Sequence, residues 1–231
     1  MASKKTSEEV VTIYPLEKKV MRLTIEGTTS LIVHAWSEKA KKEMLDKQMG
    51  NSKGKKKEPK NPVRDFIDSL YWLDKKPEEP TEEAFEKACA DGASFGFPAT
   101  AVKGAACSTA YRSGWTADKV SIYGAFFLRG CDKDFNVIGD GEFVQILTDE
   151  PPVMREDNVK LNGKTSDLRY RGEFKNWKMN FLLEYNEGNS QYSISSIVNM
   201  IEAGGFTVGI GEWRPEKRGM HGQFHIVNMD S

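Results

Sequence analysis

The chain has 231 residues, of which 39% are hydrophobic, and its 33 basic and 34 acidic side chains leave a formal charge of −1. That length and apolar share suit one sizeable folded domain, and the balanced charge excludes a protein that coats nucleic acid through bulk positive charge, although basic segments can still act locally. Three widely spaced cysteines (Cys89, Cys107, Cys131) without a Cys-x-x-Cys pair argue against a zinc site or a disulfide framework and fit reduced intracellular thiols.

Residues 1–16 read as a flexible arm, and the polar N-terminus lacks the apolar core of a secretory signal. No uninterrupted apolar run is long enough to cross a bilayer, so no membrane partner is expected. Val20 to Glu26 alternates, with Met21, Leu23 and Ile25 on one face, which predicts a half-buried strand. Gly27-Thr28-Thr29-Ser30 breaks it, and Leu31-Ile32-Val33 resumes an apolar run that ends at His34. Ser37 then caps a helix through about Met49, with Ala40, Met44 and Leu45 on its inner side. The run from Gly50 to Lys60 cannot bury apolar surface and forms a basic loop whose Lys53, Lys55, Lys56 and Lys57 are candidates for phosphate contacts.

Asn61-Pro62 starts a helix with Val63, Phe66, Ile67 and Leu70 at helical spacing, and Thr81-Glu82-Glu83 opens a short one that Gly92 stops. Phe95 to Pro98 turns the chain into a helix over 99–112 rich in alanine, which predicts close packing, closest at Gly104 despite its helix penalty. Lys103 is the odd charge in that helix. It either snorkels out of the packing or meets a backbone phosphate at the helix start. Val120 to Leu128 reads as a strand, Asn136 to Gly141 as a turn and Glu142 to Leu147 as a further strand. From Val153 to Phe174 little periodicity survives while Arg155, Lys160, Lys164, Arg169 and Arg171 accumulate, which marks a long protruding insertion or hairpin.

The cleanest strand runs from Trp177 to Tyr185. A helix over about 191–203 follows, with Ile194, Ile197, Val198 and Ile201 as its apolar stripe and Gly204-Gly205 as its stop. Two apolar strand-like runs, the last over Gln223–Val227, then flank a loop that holds Gly209, Gly211, Gly219 and Gly222. Glycine permits positive φ and close approach of backbone to a ligand. Arg112 at the earlier helix end and Arg214, Lys217 and Arg218 in this loop offer charge to phosphates, and Trp213 offers a stacking face.

The order of elements predicts an α+β fold: a ferredoxin-like or RRM-like βαββαβ core in one domain over 17–231, with a basic loop insertion at about 50–96 and a long hairpin-like insertion at about 150–174. Such folds leave one sheet face open, often for single-stranded nucleic acid.

Three segments carry a family likeness. Leu23 to His34 looks like a first strand with its turn, Phe97-Pro98-Ala99-Thr100-Ala101-Val102-Lys103-Gly104-Ala105 is similar to a small-residue helix start ending in hydrophobic-Lys-Gly, and Gly209-Ile210-Gly211 through Gly219-Met220-His221-Gly222 looks like a C-terminal glycine-rich loop. In this order they resemble the RAMP superfamily, the RRM-like proteins of CRISPR effector complexes, and most of all their RNA-binding backbone subunits. Glu212–Arg218 lengthens the loop, and Met220-His221 separates its last two glycines. These departures point to a distant, phage-encoded branch. The resemblance implies a non-catalytic protein of the bacterial host cytoplasm that binds single-stranded RNA or DNA and assembles along the strand as a homo-oligomer, with no cofactor and no metal.

Some RAMP relatives are metal-independent endoribonucleases that use a histidine, which makes His34 and His221 the catalytic alternatives. The nucleophile-elbow, phosphate-loop and His-Glu-x-x-His patterns are absent. A third alternative is a protein-interaction or inhibitory module acting on a nucleoprotein complex.

Overall fold

The structure, a computed structural model, describes residues 15–50, 59–161, 165–188 and 191–230. Most of the expected N-terminal arm, and with it Lys53, Lys55, Lys56, Lys57 and Lys164, lies outside the described residues. The elements run β1 (Lys18–Gly27), β2 (Leu31–Val33), α1 (Glu38–Gln48), α2 (Pro62–Ser69), β3 (Tyr71–Trp72), α3 (Glu82–Ala90), β4 (Phe95–Pro98), α4 (Thr100–Arg112) and α5 (Val120–Tyr123). They continue with β5 (Phe126–Gly130), β6 (Phe143–Gln145), β7 (Val153–Leu161), β8 (Thr165–Phe174), β9 (Lys178–Asn186), α6 (Ile194–Thr207), a short 3₁₀ turn (Pro215–Lys217) and β10 (Phe224–Asp230). The fold is α+β with antiparallel sheets.

The largest sheet has the order β10-β1-β9-β5. Alternation sets its faces, since side chains on a strand point to opposite sides in turn. Leu23 and Ile25 of β1 pair with Phe181 and Met179 of β9, and all four are fully buried under α4 and α6. The other face carries Arg22, Thr24, Glu26 and Lys178, and the 131–136 turn lies over part of it. Asn180 donates to the carbonyls of Asp132 and Lys133 and accepts from Thr24, while the Arg22 guanidinium sits 5.2 Å from the Phe135 ring. Two three-stranded sheets complete the molecule, β2-β8-β7 and β3-β4-β6. The expected hairpin over Val153–Phe174 is the β7–β8 ribbon, tied to the body by the pairing of β8 with β2 and by Leu70, which fills the space that Gly172 leaves.

The predicted caps are present. Ser37, Asn61 and Thr81 accept hydrogen bonds from the backbone N–H groups of Ala40, Arg64 and Ala84, satisfying donors that a helix start leaves unpaired. Other expectations are corrected. Val120–Tyr123 is a helical turn, with the strand beginning only at Phe126. Met44 and Leu45 of α1 are exposed, not turned inward. Helix α6 does not stop at Gly204-Gly205 but runs through both to Thr207, so the apolar run before the glycine loop is helix and turn, not strand. A Cβ on Gly204 would sit 2.8 Å from the Ala106 backbone nitrogen, and one on Gly205 would sit 2.1 Å from the Phe224 carbonyl oxygen. These glycines serve helix–helix and helix–strand contact. Gly104, expected at the closest approach, has no atom within 4 Å of such a Cβ. Among the described residues no helix is long and apolar enough to cross a membrane.

Candidate functional site

The glycine loop is folded back on β2 and does not extend as a hairpin. Gly209, Gly211 and Gly222 have φ of +67°, +76° and +67°, values at which a Cβ clashes with backbone. At Gly211 space is short as well, because a Cβ would lie 2.5 Å from the Ile32 carbonyl oxygen. The Glu212 N–H donates to that carbonyl at 2.9 Å, and the Gly222 N–H donates to the Ser30 carbonyl at 2.8 Å. Trp213 and Arg218 also have positive φ, at +53° and +64°, and frame the 3₁₀ turn between them.

Where the loop crosses α4 it leaves an open cleft of about 410 Å³. One wall is Ala101, Gly104, Ala105 and Ser108 of α4, the other is Gly209 to Glu212, and His34 and Tyr71 stand at one end with Lys119, Arg214 and Glu216 along the rim. The open space beside Gly104 is part of this cleft, which is why that glycine meets no neighbour.

Beside the cleft, His34 and His221 are the ends of one chain of polar side chains. His34 Nδ1 lies 4.0 Å from Glu212, whose other oxygen is 3.5 Å from the Arg171 guanidinium. Arg171 donates to Asp157 at 3.0 Å, Asp157 accepts from Arg155 at 2.9 Å, and Arg155 reaches Glu173 at 3.4 Å. Ser30 donates to Glu173 at 2.6 Å and is 2.9 Å from His221 Nδ1. A serine hydroxyl has one proton, and the short contact assigns it to the carboxylate. Nδ1 of His221 is then the donor to the Ser30 oxygen.

Charge and burial tune these groups. Burial, and then the Arg171 guanidinium, push the His34 pKa below its usual value, against an opposing pull from Glu212, so His34 is mostly neutral at pH 7. Burial would raise the Asp157 carboxyl, yet hydrogen bonds from Arg155 and Arg171 hold it below the usual aspartate value. The Trp213 indole N–H is buried beside this carboxylate without meeting a partner in hydrogen-bond geometry.

The expected site residues therefore separate. His34, Gly209, Gly211 and Arg214 line the cleft. Arg214 is fixed by Glu216 at 2.7 Å and by the Gly211 carbonyl at 2.9 Å, and Arg112 pairs with the same Glu216 at 2.6 Å. Glu216 stays well ionised: burial opposes this, but the Arg214 hydrogen bond and charge outweigh it. Lys217 and Arg218 project from the loop, exposed and without an ion pair among the described residues. Arg155 and Arg171 have their charge answered by Asp157, Glu173 and Glu212, and Arg171 is only 6% exposed. Arg169 pairs with Asp167, and Lys160 is exposed on the ribbon. Lys103 turns away from the cleft. Its ammonium donates to the Tyr123 carbonyl at 2.6 Å and lies 4.1 Å from the Phe127 ring centre, where burial lowers its pKa. Gly219 packs against the Trp213 backbone, inside the loop. Sequence reasoning passed over Ser30, Tyr71, Asp157, Glu173 and Glu212. Ser30 and Glu212 lie within the segments that resemble the family, and Asp157 and Glu173 lie within the Val153–Phe174 insertion, but nothing in the sequence marks these four individually, and Tyr71 had no signal. Among the described residues no group of three or more His, Cys, Asp or Glu could hold a metal ion.

No family model matches the chain, and no curated protein matches it. Among solved structures, it is similar to a chain of a cryo-EM structure of the Type III-B Cmr-beta bound to cognate target RNA, with 11% sequence identity and a TM-score of 0.48. The likeness covers 92% of this chain and spans 60% of the length of that one.

Proposed function

We propose that the chain is a RAMP-like protein that binds single-stranded RNA or DNA without cleaving it, built on a ferredoxin-like core. The order β10-β1-β9-β5, with α4 between β1 and β5 and α6 between β9 and β10, supports that core. One observation carries the binding reading. The three segments that resemble the family, far apart in sequence, contribute His34, the Ala101-Gly104-Ala105 face and Gly209–Gly211 to a single cleft. Its walls include Ala101, Gly104 and Ala105 on one side and Gly209 and Gly211 on the other, where a sugar–phosphate backbone can approach main-chain atoms closely, and Lys217 and Arg218 are exposed on the loop beyond it to meet phosphates.

The test is a salt titration with labelled single-stranded RNA and DNA. Affinity should fall with a log–log slope of about 0.7 per neutralised phosphate, and Lys217→Ala and Arg218→Ala should each lower the slope by about 0.7. Absence of binding to either strand at low salt overturns the reading. A second reading, a metal-independent ribonuclease, is favoured by the His221–Ser30–Glu173 alignment and a His34 held neutral. RNA recovered intact from the same incubations rejects it, whereas cleavage that disappears in His221→Ala would establish it.

A further inference from the structure

Beyond the cleft, an aromatic surface with embedded lysines has no role so far. Tyr111 and Trp115 at the end of α4, Tyr123 of α5 and Phe127 of β5 are each about half exposed, at 48%, 54%, 47% and 50%. Alternation along β5 turns Phe126 and Leu128 into the core and leaves Phe127 on the outer face. Contiguous exposed apolar surface of this kind marks binding. Two of the rings already carry cations: Lys103 lies 4.1 Å from the Phe127 centre and Lys119 lies 5.1 Å from the Tyr111 centre. The two cation–ring pairs are joined through α5: the Tyr123 N–H donates to the Lys119 carbonyl at 3.2 Å, and the Tyr123 carbonyl accepts from the Lys103 ammonium at 2.6 Å. Lys119 also lines the rim of the cleft, so the surface is continuous with it.

We propose that Tyr111, Trp115, Tyr123 and Phe127, with Lys103 and Lys119, form a stacking platform that receives the bases of a single strand leaving the cleft. Aromatic faces that accept any base, interleaved with ammonium groups for its phosphates, are what a sequence-tolerant single-strand site requires. A protein partner would be met as well by rings without the lysines. The charge pattern therefore favours nucleic acid. The platform makes the strand path longer than the cleft and would give the protein its gain in affinity with strand length. This inference rests on the binding reading above.

The test compares Phe127→Leu, Tyr111→Leu and Phe127→Trp with the wild type against a length series of fluorescent oligonucleotides of mixed sequence. Phe127→Leu and Tyr111→Leu keep apolar bulk and should each weaken binding of the long oligonucleotides about tenfold. They should leave the shortest oligonucleotide that still binds unaffected, and Phe127→Trp should restore or raise the affinity. Equal affinity of all variants for every length overturns the platform while leaving the cleft in place. Loss of binding at every length overturns it too, because the rings would then act on the cleft itself. A change in sedimentation with unchanged oligonucleotide binding assigns the surface to a protein contact instead. If the wild type binds no strand, both readings fall together.

Discussion

Asp157 shows how much of the candidate site is decided by single charges. It is 6% exposed, in a molecule where most carboxylates face water, and it receives hydrogen bonds from Arg155 and from Arg171, itself 6% exposed. Burying a charge is costly unless a partner answers it. Removing the carboxylate by Asp157→Ala would leave a buried guanidinium without its closest anion, and the expected loss is about 3–5 kcal/mol, read from urea denaturation. The same geometry sets an acid limb. With the folded pKa below the unfolded value of about 3.9, the pair's stability is fully present above that value and is lost as pH falls through the folded one. Denaturation midpoints should therefore drop on acidification below about pH 4, and this part of the drop should be absent in Asp157→Ala. An unchanged acid limb in the variant would show that other carboxylates dominate it. None of this was legible beforehand. The arginines of the ribbon stood out, but their acids come from β7, β8 and the glycine loop: the register of β7 on β8 sets Asp157 and Glu173 beside Arg171 and Arg155, and the pairing of β8 with β2, which anchors Glu212, brings in the third.

At the scale of elements, two glycines that look alike in sequence have opposite roles. Gly104 lies within α4 facing the open cleft, and Gly204 lies within α6 facing the α4 backbone at Ala105 and Ala106. Gly104→Ala should stabilise the protein by about 1 kcal/mol, the helix penalty of glycine, because the new methyl meets nothing. Gly204→Ala should destabilise it by about 1–3 kcal/mol through overpacking, since the two helices must separate. Thermal melting of the two variants checks both signs, and a loss in Gly104→Ala or a gain in Gly204→Ala would contradict this packing. The contrast also shows where sequence reading reaches. Local signals were sound: the capping side chains of Ser37, Asn61 and Thr81, the Pro62 helix start, and the alternation from Trp177 to Tyr185 each act within a few residues. A glycine's meaning at Gly204-Gly205 depended instead on what packs against it, and helix-stop and close-contact glycines are identical in sequence. Val120–Tyr123 failed for a related reason, because two β-branched residues and an aromatic favour a strand, whereas here the Asp118 carboxylate accepts the Ser121 N–H at 2.9 Å and the segment forms a helical turn.

For the whole molecule the question is whether three separate sheets make one cooperative unit. Their side chains argue that they do. Phe174 of β8 is 1% exposed and stands edge-on to Phe95 of β4, with ring centres 5.6 Å apart, so the second and third sheets share one contact. Trp177 links the turn after β8 to Phe224 of β10 at 6.5 Å and donates to the Thr29 carbonyl, which ties in the first sheet. A single hydrophobic cluster contains buried residues of all three. A contiguous core of this kind unfolds in one step in most small domains. Far-UV circular dichroism, which reports helices and sheets throughout, and the fluorescence of the five tryptophans should trace one denaturation curve. Phe174→Ala, which empties the junction, should lower the stability by about 3–5 kcal/mol and shift both curves together, because the cavity it leaves is common to all the layers. Separate transitions in the wild type, or a Phe174→Ala shift confined to one probe, would mean that the ribbon sheet folds as a unit of its own. The cleft would then be held by a joint between two bodies, since its α4 wall belongs to the first sheet's layer and the Ile32 carbonyl that anchors Glu212 belongs to the second.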